Sequence, residues 1–453
     1  MHPPTDREQG LVRQLTAGQQ AMMAFGTAIG TGLFLGSGLT IGVAGPAVVF
    51  SYVIAAAISL LLSAALVEMA VAHPAAGSFG LYAEMYVSPF AGYAVRVSYW
   101  LMQVIATGGH MVAISIYMQY WWPGTPSAVW MAGFSAALIY LNTRAVGTLG
   151  AFEYWFSMIK VAAIVVFVVL AAAIVAGLTG DPAIGFRHYA EHGGFWPKGI
   201  RGVWLGACFA IYSFIGVEVV GVTSGEARDP ERTIPQAMRR MVGGLCGLYL
   251  TTVALLVAIM PWDRIGVGES PFVTVLTRVG IPAAASLMNF VVLTAALSSA
   301  NANLYLITRT LFSLARGGFV PSSLGALTAS GIPRNALLVS SVGLAAALVV
   351  RVMWPDSAYV WFFGIALFGA LFVWLMIFVT HLAYRRSFAR SGSRPPLAAS
   401  LGRAASIAGA LAIAAVLVTT WWVPGLQSTL IAGGPWLAVL GVGYLLSGQP
   451  SSA

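Results

Sequence analysis

The sequence predicts an all-α polytopic membrane protein, and three observations predict it. Of 453 residues, 59% are hydrophobic and 8% charged, where an ordinary soluble domain carries about 25% charged residues. The apolar residues gather into successive stretches near or above the ~20 residues that cross a hydrocarbon core. The polar gaps between them, around 178–200, 262–281, 315–335 and 385–402, are too short for a soluble catalytic domain. The chain reads as one integral bundle.

Twelve stretches are expected to span: 18–42, 47–72, 91–121, 126–142, 154–177, 202–226, 237–260, 282–312, 336–353, 358–384, 404–423 and 430–447. Residues 1–15 are polar, with Arg7 and Arg13. The apolar run after them is too long, and too closely followed by others, for a cleavable signal. The second stretch ends with Glu68 and His73 before Pro74, read as interfacial and structural. Cys208 and Cys246 lie inside apolar stretches and are read as core residues; no disulfide framework or metal site follows from them. Trp121, Trp122, Trp130, Trp421 and Trp422 cluster at stretch ends, where indoles anchor at the membrane interface.

Lys and Arg set the orientation. With the N-terminus in the cytoplasm, sixteen of the 23 fall on the inner side, including Arg385, Arg386, Arg390, Arg394 and Arg403. Six fall outside: Arg187, Lys198, Arg201, Arg264, Arg278 and Arg351. Both termini are therefore expected inside. The net charge of +9 reads as this bias and not as a nucleic-acid footprint. The remaining cation, Lys160, falls within the fifth stretch.

The first stretch carries glycines at 26, 30, 32, 36 and 38. Each weakens a helix by roughly 1 kcal/mol relative to alanine, and Gly30-Thr31-Gly32 invites unwinding. Small residues also allow close helix packing, so the stretch alone supports either reading. Irregular backbone at membrane depth is tolerated where it lines a cavity. The spacing is not that of a phosphate-binding G-x-G-x-x-G loop. The sixth stretch holds a second candidate break, Ser213-Phe214-Ile215-Gly216-Val217-Glu218. Five stretches separate the two, and an odd number inverts the second copy. Stretches one to five and six to ten are thus expected to form inverted halves, with two more appended.

Ionisable groups within spans are costly and usually face a cavity. Glu218 is a candidate proton carrier, or a carboxylate holding backbone freed by the break. Lys160 either snorkels to the surface or places its ammonium inside the bundle; a buried lysine titrates readily. His110, in Thr107-Gly108-Gly109-His110-Met111, is either a packing residue or a substrate contact.

Ile29-Gly30-Thr31-Gly32-Leu33-Phe34 resembles the opening motif of bacterial amino acid permeases, as does Ser213–Glu218 in the sixth stretch. Further matches are Gly225-Glu226-Ala227-Arg228-Asp229-Pro230-Glu231-Arg232-Thr233-Ile234-Pro235-Gln236-Ala237, Leu297-Ser298-Ser299-Ala300-Asn301, Ser313-Leu314-Ala315-Arg316-Gly317-Gly318-Phe319-Val320-Pro321 and Glu153–Lys160. They run in order from about 16 to 390. Together they resemble the amino acid transporter family of the amino acid–polyamine–organocation superfamily. The resemblance implies a LeuT-like fold: a 5+5 inverted-repeat core over 16–390, with a cytoplasmic segment 1–15 before it. Helices eleven and twelve and a short cytoplasmic tail would fill 391–453.

It also implies that a substrate carboxylate rests on backbone N–H groups around Gly30, Thr31 and Gly32, in keeping with the partial positive charge of a helix N-terminus. The substrate ammonium would meet carbonyls at Ile29, Ser213, Phe214 and Ile215. Tyr212 or Phe214 would close over the site. Lys160 would stand near Ser298 and Ser299 at a sodium position, which favours proton coupling or exchange over sodium symport. Two positions depart from the family. Position 110, often acidic, is His110, which leaves the side-chain preference open, and Asn301-Ala302-Asn303 replaces the usual Asn-Ser-Gly.

The resulting expectation is a secondary active transporter importing an L-amino acid, neutral or aromatic, across the bacterial cytoplasmic membrane by alternating access. H+ is the expected coupling ion, with no cofactor and no metal. An exchanger, a carrier of an amine such as GABA, and a non-transporting sensor are the alternatives. Neither an H-E-x-x-H motif nor a Ser/His or Asp pair suited to catalysis occurs, so an enzyme is not expected.

Overall fold

A computed structural model of the chain describes residues 15–446 apart from 76, 144–148, 180–182, 267, 281, 329–331 and 398–401. The side chains of 149–154 and 282 are also outside the description. The readings made for 1–14, Arg144, the Glu153 side chain and the tail from 447 therefore lie outside the described residues.

The N-terminal helix α1 (Ala17–Ala28) opens on a capping box. Thr16 Oγ1 accepts from the Gln19 N–H at 3.3 Å, and Gln19 Oε1 accepts from the Thr16 N–H at 3.0 Å, satisfying two end donors reciprocally. The helix ends at Ile29 and resumes as α2 (Thr31–Phe34) and α3 (Gly36–Ala44). A 3₁₀ turn at Gly45–Ala47 leads into α4 (Val48–Ala72). Next come α5 (Ser78–Tyr86) and α6 (Pro89–Gln119), which starts with Pro89 behind the N-cap Ser88, a position where the missing N–H costs nothing. Then follow α7 (Ser127–Asn142), α8 (Leu149–Val175), α9 (Gly199–Ala210) and α10 (Val219–Val222). The chain continues with α11 (Pro230–Ile259), α12 (Pro271–Arg278), α13 (Pro282–Arg316), α14 (Arg334–Ser340), α15 (Val342–Met353), α16 (Ala358–Ser391), α17 (Gly402–Thr419) and α18 (Gln427–Leu446).

Ten helical stretches among the described residues are long and apolar enough to cross a membrane. The twelve predicted ones do not map onto them singly. The first is interrupted and its C-terminal piece runs on into the second, giving one stretch over Gly36–Ala72. The fourth is a shorter apolar helix, Ser127–Asn142. Helices α5 and α12 sit where polar gaps or connections were expected. α6 is buried along most of its length, packed by α13 and α16. By contrast α8, α17 and α18 turn large apolar side chains such as Val166, Leu411 and Leu445 outward, as lipid-facing helices must. Both cysteines are free, Cys208 buried and Cys246 half-buried.

Glu68, read from the sequence as interfacial and structural, is fully buried among its neighbours. Arg385 of α16 reaches both its oxygens, with Nε donating to Oε2 at 2.7 Å and Nη2 to Oε1. His381 Nε2 lies 2.9 Å from Oε2, and His381 Nδ1 lies 2.7 Å from Ser406 Oγ on α17. The cluster ties α4, α16 and α17 together. Removing one partner of a buried pair costs about 3–5 kcal/mol, because the other charge is left uncompensated. Arg385→Ala is accordingly expected to lower the thermal midpoint of the purified protein. Adding Glu68→Leu to that variant is expected to restore most of it; a double variant no more stable than Arg385→Ala would refute the account.

Candidate functional site: two facing helix breaks

The break in the first stretch is two residues long. Ile29 leaves the helix at φ −81°, ψ 89°, and Gly30 is extended at φ −139°, ψ −151°. A β-carbon on Gly30 would fall 3.1 Å from Ser299 Oγ and 3.3 Å from His110 Cε1. Thr31 Oγ1 lies 3.0 Å from His110 Nδ1. His110 of α6 and Ser299 of α13 thus close on the same buried peptide of the break.

The second break follows α9. A 3₁₀ turn, Ile211–Phe214, gives way to an extended Ile215 at ψ 132° and to Gly216 at φ +113°. Only glycine adopts that dihedral without strain. The two breaks touch. Ser213 Oγ donates to the Gly32 carbonyl at 3.0 Å. A β-carbon on Gly32 would meet Tyr212 Cδ1 at 3.0 Å and Ser213 Cα at 3.2 Å, and one on Gly216 would meet the Ala28 nitrogen at 2.8 Å.

Local hydrogen bonds sort the backbone groups. The Gly30 N–H is already committed, donating to the Ala28 carbonyl at 3.1 Å. In this conformation it is therefore not a free donor beside Thr31 and Gly32, the three N–H groups that the resemblance implied. Thr31, Gly32 and Leu33 begin α2, and a helix has no internal acceptor for its first N–H groups. Likewise the Phe214 carbonyl accepts from the Val217 N–H at 3.2 Å. Among the described residues, no backbone donor occupies the carbonyls of Ile29, Ser213 or Ile215. The junction therefore offers donors on one side and acceptors on the other, a pattern that matches a zwitterion.

Lys160 is 1% exposed. Its Nζ donates to the Gly26 carbonyl at 2.8 Å and to Ser299 Oγ at 3.1 Å. The ammonium points into the bundle and does not snorkel. Ser298, one residue earlier on α13, is 6% exposed. Glu218 is bonded within its own break: Oε2 accepts from the Gly216 N–H at 3.0 Å and from Trp374 Nε1 at 3.4 Å. Its Oε1 is buried without a hydrogen-bond partner among the described residues.

The two aromatic gate candidates occupy different places. Tyr212 is half-buried and stacks on Phe363 of α16, with centroids 3.9 Å apart. Phe214 is fully buried between Tyr52 and Tyr249, and Tyr249 donates its hydroxyl to the Ala28 carbonyl at 3.2 Å. Phe363 and its neighbour Tyr359, whose hydroxyl donates to the Thr31 carbonyl at 3.0 Å, were not singled out from the sequence. Nothing in an apolar run distinguishes such aromatics from ordinary core residues. Gly36 and Gly38 pack instead, against Phe363 and the Gly266 carbonyl.

Comparison with known proteins gives a consistent picture. The family model for amino acid permeases matches residues 19–449. The chain is 36% identical over 383 residues to the uncharacterized amino acid permease YtnA of Bacillus subtilis (strain 168), covering 84% of this chain and 83% of that protein. It is 34% identical over 432 residues to the aromatic amino acid transport protein AroP of Escherichia coli (strain K12), covering 95% of this chain and 94% of the relative.

Proposed function

Because this chain belongs to the amino acid permease family, within the amino acid–polyamine–organocation superfamily, we propose that it imports an L-amino acid by alternating access around the two facing breaks. The proposed architecture is a LeuT-like core of ten helices over 16–390, with two more in 391–453. The protein would sit in the bacterial cytoplasmic membrane with both termini inside, in keeping with the arginine bias. Inverted halves are supported by the contact of two breaks five stretches apart, at Gly32–Ser213 and Ala28–Gly216.

In this reading the substrate carboxylate rests on the N–H groups of Thr31 and Gly32, and its ammonium on the carbonyls of Ile29, Ser213 and Ile215. The observation that carries the coupling proposal is Lys160, whose ammonium spans the Gly26 carbonyl and Ser299 Oγ. A fixed cation there disfavours sodium and supplies a group that can exchange a proton. Glu218, next to the second break, is the second candidate for proton movement. The rings of Tyr212, Phe363 and Tyr359 beside Gly32 and Thr31 suit an aromatic or large neutral side chain, and AroP is named as an aromatic amino acid transport protein.

Proteoliposomes holding the purified protein test this. Labelled phenylalanine is expected to accumulate under an inward proton gradient without sodium, and a protonophore should abolish accumulation. Uptake that required internal amino acid and ignored the gradient would establish exchange instead. His110→Glu is expected to reorder the competition ranking of unlabelled amino acids, because it places an acid beside Gly30 and Thr31. An unchanged ranking would make His110 a packing residue.

A further inference from the structure

Several arginines gather at the end of α16. Arg386 and Arg390 lie one turn apart near the end of α16, Arg394 follows just beyond that end, and α17 brings Arg403 to the Arg385 backbone. Arg403 Nη2 donates to the Arg385 carbonyl at 3.3 Å, and a β-carbon on Gly402 would fall 3.2 Å from the Arg385 guanidinium. Arg386, Arg390, Arg394 and Arg403 are all exposed. Among the described residues none of the four has a carboxylate within salt-bridge distance. Glu68, the acid at this corner, is buried and already held by Arg385. Four like charges around one helix end favour a bound anion.

The surface below the arginines identifies the anion. Residues four or seven apart share a helix face. On α17, Arg403 heads a stripe continued by Ile407 (49% exposed) and Leu411 (66%). On α16, Arg386 and Arg390 lie on the face of Val379 (37%). From Ala358 to Arg386 the helix rises about 40 Å at ~1.5 Å per residue. That is about the full thickness of a bilayer with its headgroups. The arginines therefore stand at headgroup depth, above apolar stripes at acyl-chain depth, whichever way the chain is oriented.

We propose that the corner formed by Arg386, Arg390, Arg394 and Arg403 binds an anionic phospholipid, with its phosphate on the guanidinium groups and its chains along Ile407, Leu411 and Val379. Guanidinium groups suit phosphate recognition by their fixed fork of donors, and basic clusters bordering a span attract anionic headgroups. A soluble phosphate would use the arginines and leave the apolar stripes unused.

The test uses the full chain, purified and delipidated in neutral detergent, with phosphatidylglycerol, phosphatidylcholine or inorganic phosphate added separately. Phosphatidylglycerol is expected to raise the thermal midpoint and to be retained in native mass spectra, while the other two do neither. R386Q/R390Q/R394Q/R403Q is expected to lose that shift. If the quadruple variant does not fold, R390Q/R403Q is expected to lose about half of it. An undiminished shift in the variant, or equal shifts with both lipids, would overturn the proposal. An equal shift with inorganic phosphate would overturn it in favour of a soluble-anion site.

Discussion

Lys160→Ala is expected to flatten the pH dependence of uptake and to cut its rate at the optimum. The ammonium donates to the Gly26 carbonyl and to Ser299 Oγ from a position almost closed to solvent. Hydrogen bonds to charged groups contribute about 1.5–3 kcal/mol each, so the last turn of α1 loses a substantial anchor. Ser299 Oγ, 3.5 Å from the same carbonyl, offers only a long replacement bond. If Lys160 exchanges the coupling proton, alanine removes both the charge and its titration. Counterflow should then persist while gradient-driven accumulation falls by an order of magnitude or more. Initial rates in proteoliposomes across about pH 5.5–8, with counterflow in parallel, separate the two effects. A folded variant with the parental pH profile would reduce Lys160 to an anchor.

The two breaks could be read from the sequence, and the limits of that reading are physical. Glycine density around Ile29–Gly32 and the matching Ser213–Glu218 stretch pointed to two breaks, because local propensity governs where a helix fails. The occupancy of individual backbone groups was not readable. Whether the Gly30 N–H turns back to Ala28, or the Phe214 carbonyl receives Val217, depends on dihedrals that tertiary contacts select. The roles of Tyr359 and Phe363 were also hidden, since they arise from pairing with residues far away in the chain, Tyr359 with Thr31 and Phe363 with Tyr212. The same holds for Glu68, which pairs with Arg385 and His381. Only its position near a predicted span end was visible, and that suggested an interface. α16 outran its predicted end at 384, reaching Ser391. Hydropathy stops at the membrane edge, whereas arginine, alanine and serine continue a helix readily.

Gly216→Ala is the substitution expected to damage the site most for its size. Gly216 has φ +113°, where a side chain costs about 1–3 kcal/mol in backbone strain. Space imposes a second cost: the added carbon would lie 2.8 Å from the Ala28 nitrogen and 3.0 Å from its Cα. Both are backbone atoms at the end of α1 and cannot rotate away. Relief requires the two breaks to separate, at a further ~1–3 kcal/mol typical of overpacking. Separation would pull Ser213 from the Gly32 carbonyl and displace the Gly216 N–H from Glu218. Uptake is therefore expected to fall more than tenfold, together with a lowered thermal midpoint. Gly247→Ala provides the comparison, because Gly247 lies in α11 with no atom near the position of an added carbon. It should leave transport intact and slightly raise stability, through the better helix propensity of alanine. Equal tolerance of both substitutions would mean that the breaks need not touch for transport, and that their contact belongs to one conformation of the cycle only.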